Sequence, residues 1–266
     1  MSFAANYGPW ALIAGASEGT GRAFARKIAA QGVPSVLIAR RREPLEQVAA
    51  EIRAESGVVC ETASIDLAQG DAFERIVAAV GEREIGLFVA NAGADPNGAK
   101  FLDRDIETWI NLVNRGVIAT MRCCHHFGGL MRARGKGGLL LVGSGACYGG
   151  AKFMAVYSAG KAFELCFAES LWSELQPHGV DVLYAVLGKT DTPAFRQLLA
   201  EKGLPAPSDM AAPDEVAEIC LTRLKNGPVY NWGQADDAAG YAPSSAAARR
   251  MRIKAIDQGG KAVFGD

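Results

Sequence analysis

Tyr157 and Lys161 stand four residues apart in a stretch of helical period, so their side chains share one helix face and can address the same ligand. An ammonium in that place stabilises a tyrosinate and lowers the tyrosine pKa toward working pH, which makes the phenol a usable proton donor or acceptor. The pair alone is commonplace. Ser144 gives it weight: it lies thirteen positions before Tyr157, at the end of an apolar run of strand length. Open α/β sheets bind their ligands at that carboxyl edge.

A second segment, Gly15-Ala16-Ser17-Glu18-Gly19-Thr20-Gly21, lies between the first apolar run and the first helical stretch. Backbone N–H groups and a helix N-terminus there can hold a pyrophosphate. The glycine spacing is not the Gly-x-Gly-x-x-Gly of the common dinucleotide fingerprint, and glycines also serve simple tight turns. About twenty residues further on, where an acidic side chain would take the ribose 2′-hydroxyl of NAD, the chain reads Arg40-Arg41-Arg42. Guanidinium groups there favour a 2′-phosphate, hence NADP(H) over NAD(H). Glu18 would bring negative charge to the same end, and three arginines also suit a plain surface run.

These residues need elements to position them. Apolar runs of strand length alternate with stretches of helical period, the pattern of repeated β-α units around a largely parallel sheet, the α/β class. Strands are predicted at Trp10–Ala14, Val36–Ala39, Val58–Thr62, Ile85–Ala90, Leu139–Val142, Val180–Leu187 and Val229–Trp232. A long helical region is expected from about Asp105 to Arg134 and another near Ala155–Gln176. No linker interrupts the order, which predicts one dinucleotide-binding domain over 1–266, with a loop-rich insertion at about 188–212 and a tail after about 236. The tail carries Arg249, Arg250, Arg252 and Lys254 and reads as a solvated helix face.

Composition narrows the function classes. With 49% hydrophobic and 21% charged residues over 266 positions, the chain is an ordinary globular one. Its 28 Lys+Arg against 29 Asp+Glu leave a net charge of -1, which gives no pull toward nucleic acid or anionic membranes. Residues 1–10 lack a basic segment followed by an apolar one, and no stretch approaches the roughly 20 apolar residues of a membrane span, so a cytoplasmic protein is expected. The six cysteines form no Cys-x-x-Cys pair. Cys123-Cys124-His125-His126 is the one cluster suggesting a metal, but successive helical residues point about 100° apart, so no metal site is assigned.

On these residues the chain resembles the short-chain dehydrogenase/reductases, in the branch of about this length, over residues 9 to about 232. Gly15, Gly19 and Gly21 match the family's cofactor turn. Asp66-Leu67 matches the pair that contacts adenine, and Asn91-Ala92-Gly93 the segment that steadies the sheet beside the cofactor. Ser144, Tyr157 and Lys161 match its catalytic residues, and Gly188, Thr190 and Thr192 the loop along the nicotinamide. The resemblance implies a doubly wound, Rossmann-like sandwich of about seven mostly parallel strands, with helices on both faces. It also implies reversible hydride transfer between nicotinamide and a carbonyl or secondary alcohol, in a homodimer or homotetramer whose contacts fall on helices 105–134 and 155–176.

Two departures stand out. The family usually has an Asn roughly 27 or 28 positions ahead of the catalytic Ser, holding a helix kink and a water for proton relay; counting back from Ser144 reaches Gly116 or Val117. Asn114 is near but two residues out of register, about 200° round a helix. Either a local bulge brings it into place or the relay lacks its usual member, and the second reading is favoured. Leu187 stands where the family commonly has proline. A non-catalytic NADP-binding regulator or scaffold is the alternative function, supported by the displaced Asn alone. Phe195, Leu198, Leu199, Leu204 and Met210 either line a substrate pocket or form the buried face of a short helix. With Cys147, Tyr148, Phe153 and Met154 they suggest a fairly hydrophobic small-molecule substrate.

Overall fold

A computed structural model describes residues 2–96 and 98–233, so the basic tail lies outside the described residues. Seven strands form one parallel sheet: β1 Trp10–Ala14, β2 Ser35–Ala39, β3 Cys60–Ser64, β4 Ile85–Ala90, β5 Gly137–Ser144, β6 Val180–Leu187 and β7 Val229–Asn231. Their spatial order is β3-β2-β1-β4-β5-β6-β7. The chain therefore winds outward from β1 in one direction and then returns to start β4 on its other side. This reversal leaves a crevice beyond the carboxyl ends of β1 and β4, where Ala14 and Ala90 are in register.

The helices are α1 Phe3–Tyr7, α2 Gly19–Ala30, α3 Arg42–Ser56, α4 Ala72–Val80, α5 Ile106–Val113, α6 Ala119–Arg134, α7 Ala155–Leu175, α8 Pro193–Glu201 and α9 Pro213–Arg223. On one face of the sheet Phe24, Ile28, Leu45, Ile52 and Val216 are buried from α2, α3 and α9. On the other, Ile76, Phe127, Met131 and Leu175 come from α4, α6 and α7. Every residue of β2 and β4 is buried, as befits strands covered on both sides.

Two elements differ from expectation, and a third takes one of the two forms left open. β3 lies two residues later than its valines suggest: Val59 is 51% exposed and the pairing segment is Cys-Glu-Thr-Ala-Ser at the sheet's edge. The long helix 105–134 is three pieces, because a π-helical turn at Asn114–Ile118 separates α5 from α6. Residues 193–201 are helical, with Pro193 in the first turn where its missing N–H costs nothing and Thr192 capping Phe195 N at 3.2 Å. Of the apolar residues in this segment only Leu199 is buried.

Candidate active site

The turn after β1 is built for close approach. Gly15 has φ 83°, and a Cβ there would lie 2.9 Å from Ala92 N. A Cβ on Gly21 would stand 1.9 Å from Gly15 O and 2.7 Å from Asn91 Nδ2, so no other residue fits without moving backbone. Asn91 ties the turn from the end of β4: its Nδ2 donates to Gly15 O at 2.9 Å, and its Oδ1 accepts from Thr20 Oγ1 at 2.7 Å. The N-terminus of α2 has no side-chain cap, which leaves its first amides for a ligand.

A cleft of about 440 Å³ opens above this turn, over the carboxyl ends of β1 and β4. Gly15, Ser17, Glu18, Gly19, Thr20, Arg40, Arg41, Leu67, Asn91, Ala92, Gly93 and Thr192 line it, as the sequence suggested. Uncapped amides at one point, cations at one end and small residues between them form a cradle that fits a dinucleotide. Asp66 does not line the cleft; its Oδ1 accepts from Ala68 N at 3.1 Å and shapes the loop that carries Leu67. Gly21, Tyr157, Lys161, Gly188 and Thr190 also lie off the wall. Thr190 bridges to Ala211 and holds the segment before α8 in place.

Charge at the Arg40 end is organised in pairs. Arg41 Nη2 meets Glu18 Oε2 at 2.5 Å, so Glu18's charge is answered within the cleft wall. Arg40 has no ion-pair partner among the described residues. Arg115 was not anticipated from sequence: it lines the same cleft and donates to Ala94 O at 3.1 Å. Burial pushes its guanidinium below the usual range and the nearby Arg40 adds to that, against the pull of Asp66 and Asp95.

Ser144 is the last residue of β5. Its Oγ accepts from Ala146 N at 3.3 Å and caps the 3₁₀ turn Gly145–Tyr148, which packs on α7. Tyr157 lies in the first turn of α7, and both side chains are half-buried. Lys161, one turn on, is buried, with Nζ 6.0 Å from the Tyr157 ring centroid. That Nζ donates to Val142 O at 3.0 Å and to both oxygens of Glu164 at 2.9 and 3.1 Å. Burial opposes its charge, but the Glu164 carboxylate, with Tyr157 beside it, more than offsets this and holds Lys161 above the ordinary lysine range. The Glu164 carboxyl is itself pushed up by burial, against the pull of Lys161. From below, Tyr184 Oη donates to Lys161 O at 2.9 Å in space that Gly143 leaves free.

The helix does bulge at Asn114, yet Asn114 Nδ2 lies 3.4 Å from Ala68 O, over the β3–α4 loop rather than at Lys161. The position facing Lys161 and Glu164 is Gly116, whose Cβ would lie 3.6 Å from Glu164 Oε1. Glu164 was missed in the sequence. Its signal was a lone carboxylate three residues after the lysine on an otherwise apolar helical stretch. Cys123 and Cys124 are buried, with thiols pushed upward by desolvation, Cys123 to about 12. Leu187 is buried at the end of β6, paired with Ser144 in register.

The model of the short chain dehydrogenase family matches residues 9–203. A 7β-hydroxysteroid dehydrogenase of Collinsella aerofaciens is 34% identical over 195 residues, covering 73% of this chain and 74% of its own. A structure solved to explain 7β-hydroxysteroid dehydrogenase stereoselectivity superposes with a TM-score of 0.81 at 31% identity, over 88% of this chain and 91% of that one. A short-chain dehydrogenase from Sphingobium yanoikuyae, in complex with NADPH, gives 0.76 at 26% identity over 94% of each chain.

Proposed function

The chain belongs to the short-chain dehydrogenase family, and from that membership we propose an NADPH-dependent reductase of fairly hydrophobic ketones, acting through Ser144, Tyr157 and Lys161. Membership makes it an NAD(P)-dependent oxidoreductase of carbonyl and alcohol groups. The observation that carries the finer reading is the place of Gly93. It lines the glycine-turn cleft, and a Cβ on it would lie 3.4 Å from Lys161 Nζ, which supports reading the cleft and the Tyr157–Lys161 pair as one site.

When bound, NADPH supplies the hydride. Tyr157 gives its phenol proton to the carbonyl oxygen in reduction and takes it back in oxidation. Lys161 keeps a positive charge beside the phenol and lowers the free energy of the phenolate left behind. Ser144 donates a hydrogen bond to the same substrate oxygen and fixes its direction. Together such acid–base terms are worth about 10² to 10⁴ in rate.

Preference for NADP is supported by Arg40, because Arg41 already answers Glu18 and Arg40 is left to meet a 2′-phosphate. The NADPH complex of the Sphingobium relative points the same way. A hydrophobic ketone is supported by the hydroxysteroid dehydrogenases and by the apolar residues Cys147, Tyr148, Phe153 and Met154 between Ser144 and Tyr157. Tyr148 is fixed there by its hydroxyl, which donates to Asn231 Oδ1 at 2.5 Å. We assign a cytoplasmic homodimer or homotetramer; exposed Ile106, Ile110, Met121 and Phe163 on α5, α6 and α7 support the contact.

The test is a panel of steroid, aromatic and aliphatic ketones with NADPH and with NADH, followed at the reduced-nicotinamide absorbance. Turnover of hydrophobic ketones with NADPH preferred is expected. Activity confined to small polar carbonyls, or an equal response to NADH, would remove the proposed specificity.

A further inference from the structure

The contacts of Lys161 exhaust its capacity. An ammonium has three protons, and here they go to Val142 O and to the two oxygens of Glu164. Both side chains of the pair are only 6% exposed, so the carboxylate does what water would otherwise do for a buried cation. Glu164 reaches Lys161 through space left by missing side chains. Cβ atoms built on Gly116 and Gly93 would lie 3.6 and 3.9 Å from Glu164 Oε1, and Gly160 lets α7 close on Val117. A larger polar side chain at position 116 would point into the volume that the carboxylate fills. At 3.6 Å such a Cβ would be in ordinary contact with the carboxylate, so a longer side chain there would compete with it for space, and this chain has the carboxylate on α7.

Resting on the reading of Tyr157 and Lys161 above, we propose that Glu164 is a positioning residue for the reaction. From α7 it aims the Lys161 Nζ and keeps it charged beneath Tyr157. A carboxylate suits this because it has two oxygens. Lys161 can turn one proton toward a hydroxyl in the cleft and still keep a charge-assisted bond to the second oxygen. Besides Lys161, the titratable groups facing Glu164 are Tyr157 on α7, Cys124 on α6, Cys147 in the 3₁₀ turn and Tyr184 on β6. Burial holds both thiols and the Tyr184 phenol above their ordinary values, so at neutral pH none of these three offers Lys161 a second anion.

The test measures ketone reduction with NADPH across pH for wild type and Glu164→Gln, alongside NADPH binding by fluorescence and a folding check by circular dichroism. The glutamine should lower kcat about tenfold or more, a share of the 10² to 10⁴ that acid–base groups supply, while cofactor binding stays nearly unchanged. The alkaline limb of kcat should move to lower pH, because without its anion the buried ammonium releases its proton earlier. Gly116→Asn should raise kcat when added to Glu164→Val, since the polar group is then returned from the facing helix, and should lower kcat on its own.

A Glu164→Gln enzyme with wild-type kcat and pH profile overturns the proposal, as does a Gly116→Asn/Glu164→Val enzyme no faster than Glu164→Val. Should Glu164→Gln not fold, the comparison of those two variants decides. If neither of them folds while Glu164→Asp keeps full rate and the wild-type pH profile, Glu164 is a stability element and the proposal falls. A wild type inactive on every ketone overturns the reductase reading itself, whereas an active wild type with an indifferent Glu164→Gln overturns only the role of Glu164.

Discussion

Replacing Lys161 by methionine keeps most of the side-chain volume but strands the Glu164 carboxylate in a site where it is 6% exposed. Removing one partner of a buried ion pair costs about 3–5 kcal/mol, because the remaining charge has neither water nor counter-ion. For a chain of this size about 1 kcal/mol moves Tm by roughly 2–4 °C, so Lys161→Met should melt about 6 to 20 °C below wild type at pH 8. The deficit should depend on pH. Burial already raises the Glu164 pKa and Lys161 is what opposes it, so in the variant the folded-state value rises further above the unfolded one. The folded state then binds more protons than the unfolded state, and stability falls as pH rises from the ordinary carboxylate range toward that raised value. Melting followed by circular dichroism at pH 5 and pH 8 should therefore show the smaller deficit at pH 5. Adding Glu164→Val should restore most of the loss at pH 8, since an apolar pair of similar volume is often as stable as the ion pair it replaces. A Lys161→Met protein that melts within about 2 °C of wild type at pH 8 would refute the reasoning. So would a deficit that grows toward pH 5.

Tyr157→Phe should bind NADPH as wild type does and lose about 10² to 10⁴ in kcat, measured by fluorescence titration and steady-state rates; near-normal turnover would end the proposed mechanism. Arg40→Ala removes the unpaired guanidinium of the cleft and should raise the KM for NADPH about 10- to 100-fold, the value of a charge-assisted hydrogen bond, with little change for NADH. Equal effects on both cofactors would remove Arg40 from the 2′-phosphate. Gly21→Ala places a methyl 1.9 Å from Gly15 O and should cost about 1–3 kcal/mol of stability while weakening NADPH binding; normal melting and binding together would contradict the close approach.

The sheet was legible because strands covered on both faces need no alternation. β1 and β4 carry no polar side chain, β2 and β6 only Ser35 and Asp181, and all four lie within a residue of where the pattern places them. β3 was displaced because an edge strand has one neighbour and half its burial, so Cys60–Ser64 carries no apolar signal while the valines before it do. A five-residue helix such as α1 is too short for a period to show. The glycine turn and the Ser144, Tyr157 and Lys161 set were legible as local spacings. Glu164 was not, because i,i+3 ion pairs are usually solvated, and the burial that makes this one matter comes from elements packed over α7. Counting residues along a helix assumes a constant turn, and the π-helical Asn114–Ile118 breaks that assumption at the position being counted.

The bond from Tyr184 to the backbone of Lys161 separates the two walls of the crevice mechanically. Tyr184 is wholly buried at the middle of β6, so the floor under the phenol is tied to the centre of the sheet and cannot slide along the helix axis without breaking that anchor. On the opposite wall, Thr192, Ala194 and Gln197 come from a segment held by the Thr190–Ala211 bridge and by the surface ion pairs Lys189–Asp209 and Asp191–Arg196, which solvent screens. The two sides of the crevice are therefore held by different means, a buried hydrogen bond to the sheet on one and solvent-exposed ion pairs with a single bridge on the other.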